Sequence, residues 1–279
     1  MGLVADARVT DKPLSDDKLQ AQYDNRAAVP EHPALMAAWK AQAQAARAAH
    51  PPTLVRYGPG EREVMDLFEA GPDAPVALFI HGGYWQALDK DWFSGIAPAM
   101  LANGVSLAVA SYDLCPAVRL PRIVGQMREA TGVLRERTGK RPVVFGHSAG
   151  GHLAACMLSE GRASAALAIS GLFDLEPVVP TSINAALGLN RLEARALSPI
   201  HWPAPNGGAP GGTVLDCVVG ADETAEFIRQ SRDMAVAWGA KGTQTRFEVL
   251  PGLNHFTVLS PLTDPDSPMI RRIVELAKS

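Results

Sequence analysis

The sequence has few cysteines and no cluster of residues with metal-ligand spacing. Its three cysteines, Cys115, Cys156 and Cys217, are odd in number and widely separated in a chain of 279 residues. That pattern argues against a disulfide framework and against a C-x-x-C metal site, and no H-E-x-x-H sequence occurs. We therefore expect no bound metal, and we expect the cysteines to be buried as small apolar side chains.

Long apolar runs and an excess of basic charge are also missing. No stretch approaches the roughly 18 apolar residues that span a bilayer, and residues 1–19 lack the basic and apolar regions of a signal peptide. The formal net charge is -3, without the clustered basic excess of a nucleic-acid-binding protein. The sequence predicts a cytoplasmic protein with neither a membrane nor a nucleic-acid partner, and it leaves a homodimer open.

The first part of the chain, residues 1–50, has the pattern of a helical segment. Ser15 is a candidate N-cap for a first helix, and residues 32–50 carry Met36 and Trp39 at helical spacing. Such a stripe either packs on the body of the protein or covers a site as a cap. The spacing alone favours simple packing.

After Pro51, short β-prone segments alternate with longer helical patterns. Such alternation predicts an α/β fold with a mostly parallel central sheet and helices on both faces. The hydrophobic content of 47% is sufficient for a single domain over residues 1–279. The proline-rich stretch 172–213 interrupts the alternation, and we expect an irregular insertion there that forms a lid or a pocket wall above the strand ends. Strands are predicted at 53–57, 63–68, 76–80, 106–110, 142–145, 165–169, 214–219 and 245–250, and helices at 91–103, 120–138, 149–158, 225–238 and 268–277.

A G-x-S-x-G sequence runs from Gly146 to Gly150, with Ser148 at its centre. It follows a predicted strand and precedes a predicted helix, the context in which this motif forms a sharp turn that exposes a nucleophilic serine. The residues flanking such a turn must be small, as Ala149 and Gly151 are. The sequence therefore predicts an α/β-hydrolase fold with Ser148 as the nucleophile.

His81, Gly82 and Gly83 follow the predicted strand 76–80, where a hydrolase of this fold builds its oxyanion hole. Glycines allow backbone N–H groups to approach the negative charge that develops on the substrate oxygen. We expect the donors to be the N–H groups of Gly82, Gly83 and Ala149. His81 itself is expected to pack within the loop, without a role in proton transfer.

The general base of this fold is a histidine late in the chain, preceded by an acid. His201 lies in the irregular insertion, whereas His255 follows the last predicted strand in a tight turn, so His255 is the expected base. The acid is expected after strand 214–219, where position alone does not choose between Asp222 and Glu223. Glu226 is expected to lie in the first turn of the following helix.

Several further motifs resemble those of the arylformamidase family, the kynurenine formamidase-like enzymes of the hormone-sensitive-lipase-like branch. The resemblance extends over nearly the whole chain, and H-G-G-Y-W-Q together with E-F-x-R-Q-S is its most specific part. The motifs are Q-A-Q-Y-D-N-R from Gln20, H-G-G-Y-W-Q from His81, S-Y-D-L-C-P from Ser111, G-H-S-A-G-G-H from Gly146, S-G-L-F-D-L from Ser170 and E-F-I-R-Q-S from Glu226.

The resemblance implies a formamidase or small-acyl esterase that needs no cofactor. It also implies that Glu223 is the acid, because the family's carboxylate stands three residues before the Glu-Phe of E-F-x-R-Q-S. Tyr84 and Trp85 follow the oxyanion glycines and are expected to form walls for an aromatic leaving group. The alternative is packing in the core beneath the loop, which for Trp85 is equally compatible with the sequence. The expected small-molecule substrate is an aryl formamide such as N-formylkynurenine, with short-chain carboxylesters as the alternative. A non-catalytic binding protein is disfavoured, since nucleophile, base and oxyanion glycines are all present.

Overall fold

The computed structural model describes residues 16–205 and 213–279. Ser15 and residues 206–212 of the expected insertion lie outside the described residues. The strands are β1 (Thr53–Arg56), β2 (Val64–Phe68), β3 (Val76–Ile80), β4 (Ser106–Ala110), β5 (Val143–His147), β6 (Ala165–Ile169), β7 (Val214–Gly220) and β8 (Gln244–Leu250). The helices are α1 (Asp16–Tyr23), α2 (Asn25–Ala28), α3 (His32–Ala49), α4 (Ala97–Ala102), α5 (Leu120–Thr138), α6 (Ala149–Ser159), α7 (Asn184–Leu187), α8 (Arg191–Ala196), α9 (Ala225–Gly239) and α10 (Pro268–Lys278).

Across the described residues, eight strands form one sheet in the order β1-β2-β4-β3-β5-β6-β7-β8. β2 is antiparallel to both of its neighbours, β1 and β4, and the remaining pairs are parallel. Parallel neighbours need a crossover connection, which explains why helices alternate with strands along the chain. This is the predicted α/β-hydrolase architecture, so the sequence-based expectation for the fold is confirmed.

Both faces of the sheet are covered, and β3 shows why its sequence is a continuous apolar run. Val76, Leu78 and Ile80 belong to the apolar core on one face, and Ala77 and Phe79 belong to the core on the other. Successive side chains of a strand point to opposite faces, so a strand covered on both sides needs apolar residues throughout.

The cysteines fit the expectation that they serve as small buried side chains. Cys115, Cys156 and Cys217 are all free and buried. Within the described ranges, no helix combines the length and the apolar character needed to cross a membrane.

Two segments differ from the sequence-based prediction. The helix expected at 91–103 is realised as two short 3-10 turns, Lys90–Trp92 and Ser94–Ile96, followed by α4. Pro98 lies in the first turn of α4, a position that proline tolerates, whereas inside a longer helix it would remove a hydrogen bond and clash with the preceding turn. α3 packs closely on the same segment, since a Cβ on Gly95 would lie 3.1 Å from Cβ of Gln42.

The insertion is also more regular than expected over residues 172–205. It contains α7, α8 and two 3-10 turns, and a capping box formed by Asn190 and Glu193 starts α8. Helices of four and six residues are too short to produce a recognisable helical period in the sequence.

Candidate active site

The candidate site lies where several parallel strands end. Strands β3, β5, β6, β7 and β8 run parallel, so their carboxyl ends meet at one edge of the sheet, the edge at which α/β proteins bind ligands. The chain that continues from these strands contributes, in the same order, Gly82, Ser148, Ser170, Glu223 and His255.

Ser148 occupies a sharp turn between β5 and α6. Its φ of 56° lies in the left-handed region, which the backbone of residues other than glycine rarely adopts. A Cβ on Gly146 would lie 2.3 Å from the carbonyl oxygen of Gly150, and a Cβ on Gly150 would lie 1.9 Å from that of Ile80. Only glycine fits at these two positions, which is the physical reason for the G-x-S-x-G sequence.

The predicted acid and the predicted base are joined by a short hydrogen bond. Nδ1 of His255 lies 2.6 Å from Oε2 of Glu223, while Oε1 of Glu223 accepts from the Gly220 N–H at 2.8 Å and from the Ser170 hydroxyl at 2.5 Å. Because a carboxylate accepts, Nδ1 carries the proton and Nε2 is left free to accept one. Asp222 is exposed, and its carboxylate makes no such contact within the described part of the chain, so the geometry separates the two neighbouring acids.

His147 and Phe227 hold the imidazole of His255 from two sides. Nε2 of His147 donates to the backbone carbonyl of His255 at 2.9 Å, and the centroid of the His255 ring lies 4.6 Å from that of His147 and 4.4 Å from that of Phe227. Burial lowers the pKa of His147 well below its usual value, so this ring stays neutral. Sequence reasoning missed His147 and Ser170 as supports, although both stand in motifs that were recognised.

The three residues expected to donate in the oxyanion hole lie close to Ser148. A Cβ on Gly82 would lie 3.1 Å from Cβ of Ser148, so the two residues are in direct contact. Gly83 has a φ of 102°, which favours glycine, and it lines the cavity beside Ser148. Ala149 is the first residue of α6, where the helix itself provides no acceptor for the backbone N–H.

Tyr84 and Trp85 were both expected to form pocket walls, and the structure separates them. Tyr84 lines the cavity, with its hydroxyl donating to the backbone carbonyl of Tyr23 at 2.7 Å and accepting from Nδ2 of Asn25 at 3.2 Å. Trp85 is 0% exposed and packs edge-on against His152 in the core. The expectation that Trp85 forms a pocket wall is therefore corrected: the loop turns at residues 84 and 85, whose φ values are 50° and 58°, and the Trp85 side chain belongs to the apolar core.

A cavity of about 450 Å³ contains Ser148 and His255 in its wall, a volume suited to a small-molecule ligand. Residues of the N-terminal segment line it as well, including Met36 and Trp39 of α3, so α3 does more than pack on the body of the protein. The insertion contributes Ser182 and Ile183. The other residues that line the cavity are Gln20, Tyr23, Asp24, Asn25, Arg26, Gly83, Tyr84, Gln86, Ala87, Leu88, His147 and Phe256.

The remaining histidines of the sequence analysis lie outside this cavity. His81 stacks on Tyr112 with ring centroids 4.2 Å apart, and burial lowers its pKa to about 3, consistent with packing alone. Among the described residues, Asp174, Glu176 and His201 form a group that can present three metal ligands within 4.8 Å. Arg195 already contacts Glu176 and His201 in that group, so it has the character of a surface ion-pair cluster.

Comparison with known proteins adds the family. A family model described as alpha/beta hydrolase fold matches residues 77–259. Kynurenine formamidase of Drosophila melanogaster is 30% identical over 239 residues, with 78% of each chain covered. This chain belongs to the arylformamidase family of α/β-hydrolases. Kynurenine formamidase of Danio rerio is 26% identical over 285 residues, covering 95% of this chain and 97% of that protein.

A solved structure has the same fold over nearly the whole chain. The crystal structure of a chain described as a "putative thioesterase" from Silicibacter sp. TM1040 superposes with a TM-score of 0.83 at 30% identity. The match covers 94% of this chain and 99% of that one. This member of the arylformamidase family is therefore a hydrolase that acts on ester or amide bonds.

Proposed function

We propose that this hydrolase removes a formyl or similarly small acyl group from an aryl formamide of the N-formylkynurenine type, through a covalent intermediate on Ser148. The observation that carries the proposal is the 2.6 Å contact between His255 and Glu223, at the strand edge that also carries Ser148. The similarity to two kynurenine formamidases over most of the chain supports this choice of substrate.

The first half of the reaction transfers the acyl group to the enzyme. Nε2 of His255 takes the hydroxyl proton of Ser148 while the serine oxygen attacks the formyl carbon. Glu223 holds the imidazole in the required tautomer and stabilises the imidazolium. The charge on the former carbonyl oxygen is stabilised by the N–H groups of Gly82, Gly83 and Ala149. The C–N bond then breaks, and the leaving aryl amine receives the proton from His255.

The second half releases the acyl group. His255 takes a proton from a water molecule, whose oxygen attacks the formyl ester on Ser148. The C–O bond to Ser148 breaks, the serine oxygen regains the proton from His255, and formic acid leaves, which releases its proton to the solvent to give formate. Every proton transfer in the cycle uses the same nitrogen, which requires that Nδ1 keep its own proton throughout.

The cavity walls favour an aromatic leaving group. Trp39 and Phe256 stack with ring centroids 5.8 Å apart and planes at 27°, and both line the cavity with Met36. These side chains offer flat apolar surface to a ring. The same chemistry hydrolyses a short-chain ester, so the substrates must be compared directly.

The test compares kcat/KM for N-formylkynurenine and for p-nitrophenyl acetate with the same enzyme, and extends the ester series from acetyl to decanoyl. We expect turnover of the formamide and a fall in rate for long acyl chains. A fast acetyl ester with an inert formamide would indicate a short-chain carboxylesterase instead. Rates that rise to an optimum at octanoyl or beyond would contradict the small acyl pocket.

The serine mechanism is tested separately. Ser148→Ala is expected to abolish turnover without loss of folding, and a serine-directed phosphonate is expected to label Ser148 in the parent enzyme. A phosphonate adduct found by mass spectrometry on another residue would refute the assignment of the nucleophile.

A further inference from the structure

We propose that Arg26 and Asp24 form a subsite at the mouth of the catalytic cavity that recognises the α-amino acid group of the leaving half of the substrate. Arg26 binds the carboxylate, and Asp24 binds the ammonium group. This inference rests on the proposed function and adds to it the residues that select a zwitterionic substrate over a neutral one.

The two residues lie where the cavity opens to solvent. Both line the cavity that contains Ser148 and His255, and both are exposed. Among the described residues that line this cavity, they are the only members of the Asp, Glu, Lys and Arg types. A ligand whose reacting group sits at Ser148 therefore meets one positive and one negative side chain at the entrance.

The neighbouring residues anchor this stretch of chain. Tyr23 is 1% exposed and Asn25 is 6% exposed, and both contact the hydroxyl of Tyr84 in the oxyanion loop, Tyr23 through its backbone carbonyl and Asn25 through its side-chain amide. The Tyr23 hydroxyl donates to Oε2 of Glu226 at 3.0 Å. Residues 23 and 25 thus face inward and are held, while residues 24 and 26 face the solvent side of the cavity.

The guanidinium of Arg26 is available for a ligand. No acidic side chain within the described ranges pairs with it, whereas Arg47 pairs with Asp66 and Arg229 pairs with Glu226. An arginine presents a planar fork of donors that matches a carboxylate. An unpaired guanidinium in the wall of a catalytic cavity is thus suited to an anionic group of the substrate.

The carboxylate of Asp24 keeps one oxygen available. Its Oδ1 accepts from the backbone N–H of Ala27 at 3.0 Å and caps α2, and in the part of the chain that the structure describes no group donates to Oδ2. The cap holds the carboxylate in place. With Arg26 two residues away, the pair matches the two opposite charges of an α-amino acid.

The deciding experiment compares two formamides that differ only in the carboxylate: N-formylkynurenine and its decarboxylated analogue, N-formylkynuramine. In Arg26→Ala, we expect the ratio of the kcat/KM value for N-formylkynurenine to that for N-formylkynuramine to fall about tenfold, mainly through a rise in KM for N-formylkynurenine. A tenfold change corresponds to the lower end of the free-energy range for hydrogen bonds to charged groups. Arg26→Lys is expected to restore part of the ratio. Added salt is expected to raise KM more for N-formylkynurenine in the parent enzyme than in Arg26→Ala.

Two further variants complete the design. Asp24→Asn keeps the helix cap, since asparagine caps as well as aspartate, and is expected to weaken preference for substrates with a free ammonium group over their deaminated analogues. Arg56→Ala is the matched control, because Arg56 is an exposed arginine on β1 outside the cavity wall. If Arg26→Ala lowers kcat/KM equally for both formamides, or lowers it for neither, the proposed subsite is refuted.

An inhibition assay separates failure of this inference from failure of the proposed function. If the parent enzyme cleaves p-nitrophenyl acetate but no formamide, the proposed function fails while the subsite remains testable. Kynurenine and kynuramine are then compared as inhibitors of ester hydrolysis. Stronger inhibition by kynurenine that disappears in Arg26→Ala supports the subsite, and equal inhibition by the two compounds refutes it.

Discussion

Replacing Glu223 by glutamine exchanges one oxygen for an NH₂ group, and the contacts around this side chain predict which way the amide lies. Oε1 accepts from the backbone N–H of Gly220 and from the Ser170 hydroxyl. The backbone N–H cannot reverse its role, so the amide oxygen of the glutamine must take this place. The NH₂ group then faces Nδ1 of His255.

That orientation forces the imidazole into the wrong tautomer. Nδ1 of His255 must accept from the amide, so its proton moves to Nε2. A protonated Nε2 cannot take the proton of Ser148, and the first step of the reaction is blocked. The corresponding aspartate-to-asparagine change in a serine protease triad lowers kcat by about 10⁴, which corresponds to about 5.5 kcal/mol in the activation barrier. We expect a loss of that order in Glu223→Gln.

The assay is steady-state hydrolysis of p-nitrophenyl acetate, which does not depend on the identity of the natural substrate. Asp222→Asn is the matched control, because Asp222 is the adjacent acid and is exposed. We expect it to keep the parent kcat, and we expect both variants to keep the parent melting temperature, since each change preserves shape. An inactive Asp222→Asn with a nearly normal Glu223→Gln would refute the reasoning.

Three further predictions concern the glycine turn, a buried histidine and the oxyanion loop. Gly150→Ala is expected to destabilise the fold by more than about 3 kcal/mol in urea unfolding, because its Cβ would lie 1.9 Å from a carbonyl oxygen. Gly125→Ala in α5, where a Cβ has no neighbour within 4 Å, is expected to stabilise the fold by up to about 1 kcal/mol. Equal effects of the two substitutions on the free energy of unfolding would contradict this prediction. Burial lowers the pKa of His152 to about 4, so between pH 6.5 and 4 the unfolded chain binds the proton that the folded chain does not, and stability falls as the pH falls. Urea unfolding is measured at pH 6.5 and at pH 5. The decrease in the free energy of unfolding between the two is expected to be about 1.6 kcal/mol smaller in His152→Gln than in the parent protein, and an unchanged decrease would count against the assignment. Tyr84→Phe removes the hydroxyl that ties the oxyanion loop to residues 23 and 25, and is expected to lower kcat for p-nitrophenyl acetate about tenfold with a smaller change in KM; a change in KM alone would indicate a role in substrate binding only.

Much of the site could be predicted because its pieces are local. The turn at Ser148 needs glycines two residues before and after the nucleophile, and that need is written into five consecutive residues. The position of His255 after the last strand follows from the order of the fold. The choice of Glu223 over Asp222 was different, since position alone left both acids open and only the family resemblance favoured one.

The features that sequence reasoning missed depend on contacts between residues far apart in the chain. Tyr23 contacts Glu226 across 203 positions, and Tyr84 contacts Tyr23 across 61. No periodicity within α1 or the oxyanion loop records these pairings. The same limit explains why Trp85 was expected to line the pocket. Its place beside the oxyanion glycines resembles that of Tyr84, although its side chain points into the core.

The sequence by itself determined the strands, the longer helices other than the segment 91–103, the α/β class, the sharp turn at Ser148 and the late histidine. These features follow from apolar periodicity and from backbone conformations that only certain residues adopt. The tertiary structure alone decided that the N-terminal helices line the cavity, that the Glu223 carboxylate rather than that of Asp222 reaches His255, and that Asp24 and Arg26 stand at the entrance. The reason is physical: local patterns set the backbone of each element, whereas the meeting of side chains depends on strand order and on long-range packing.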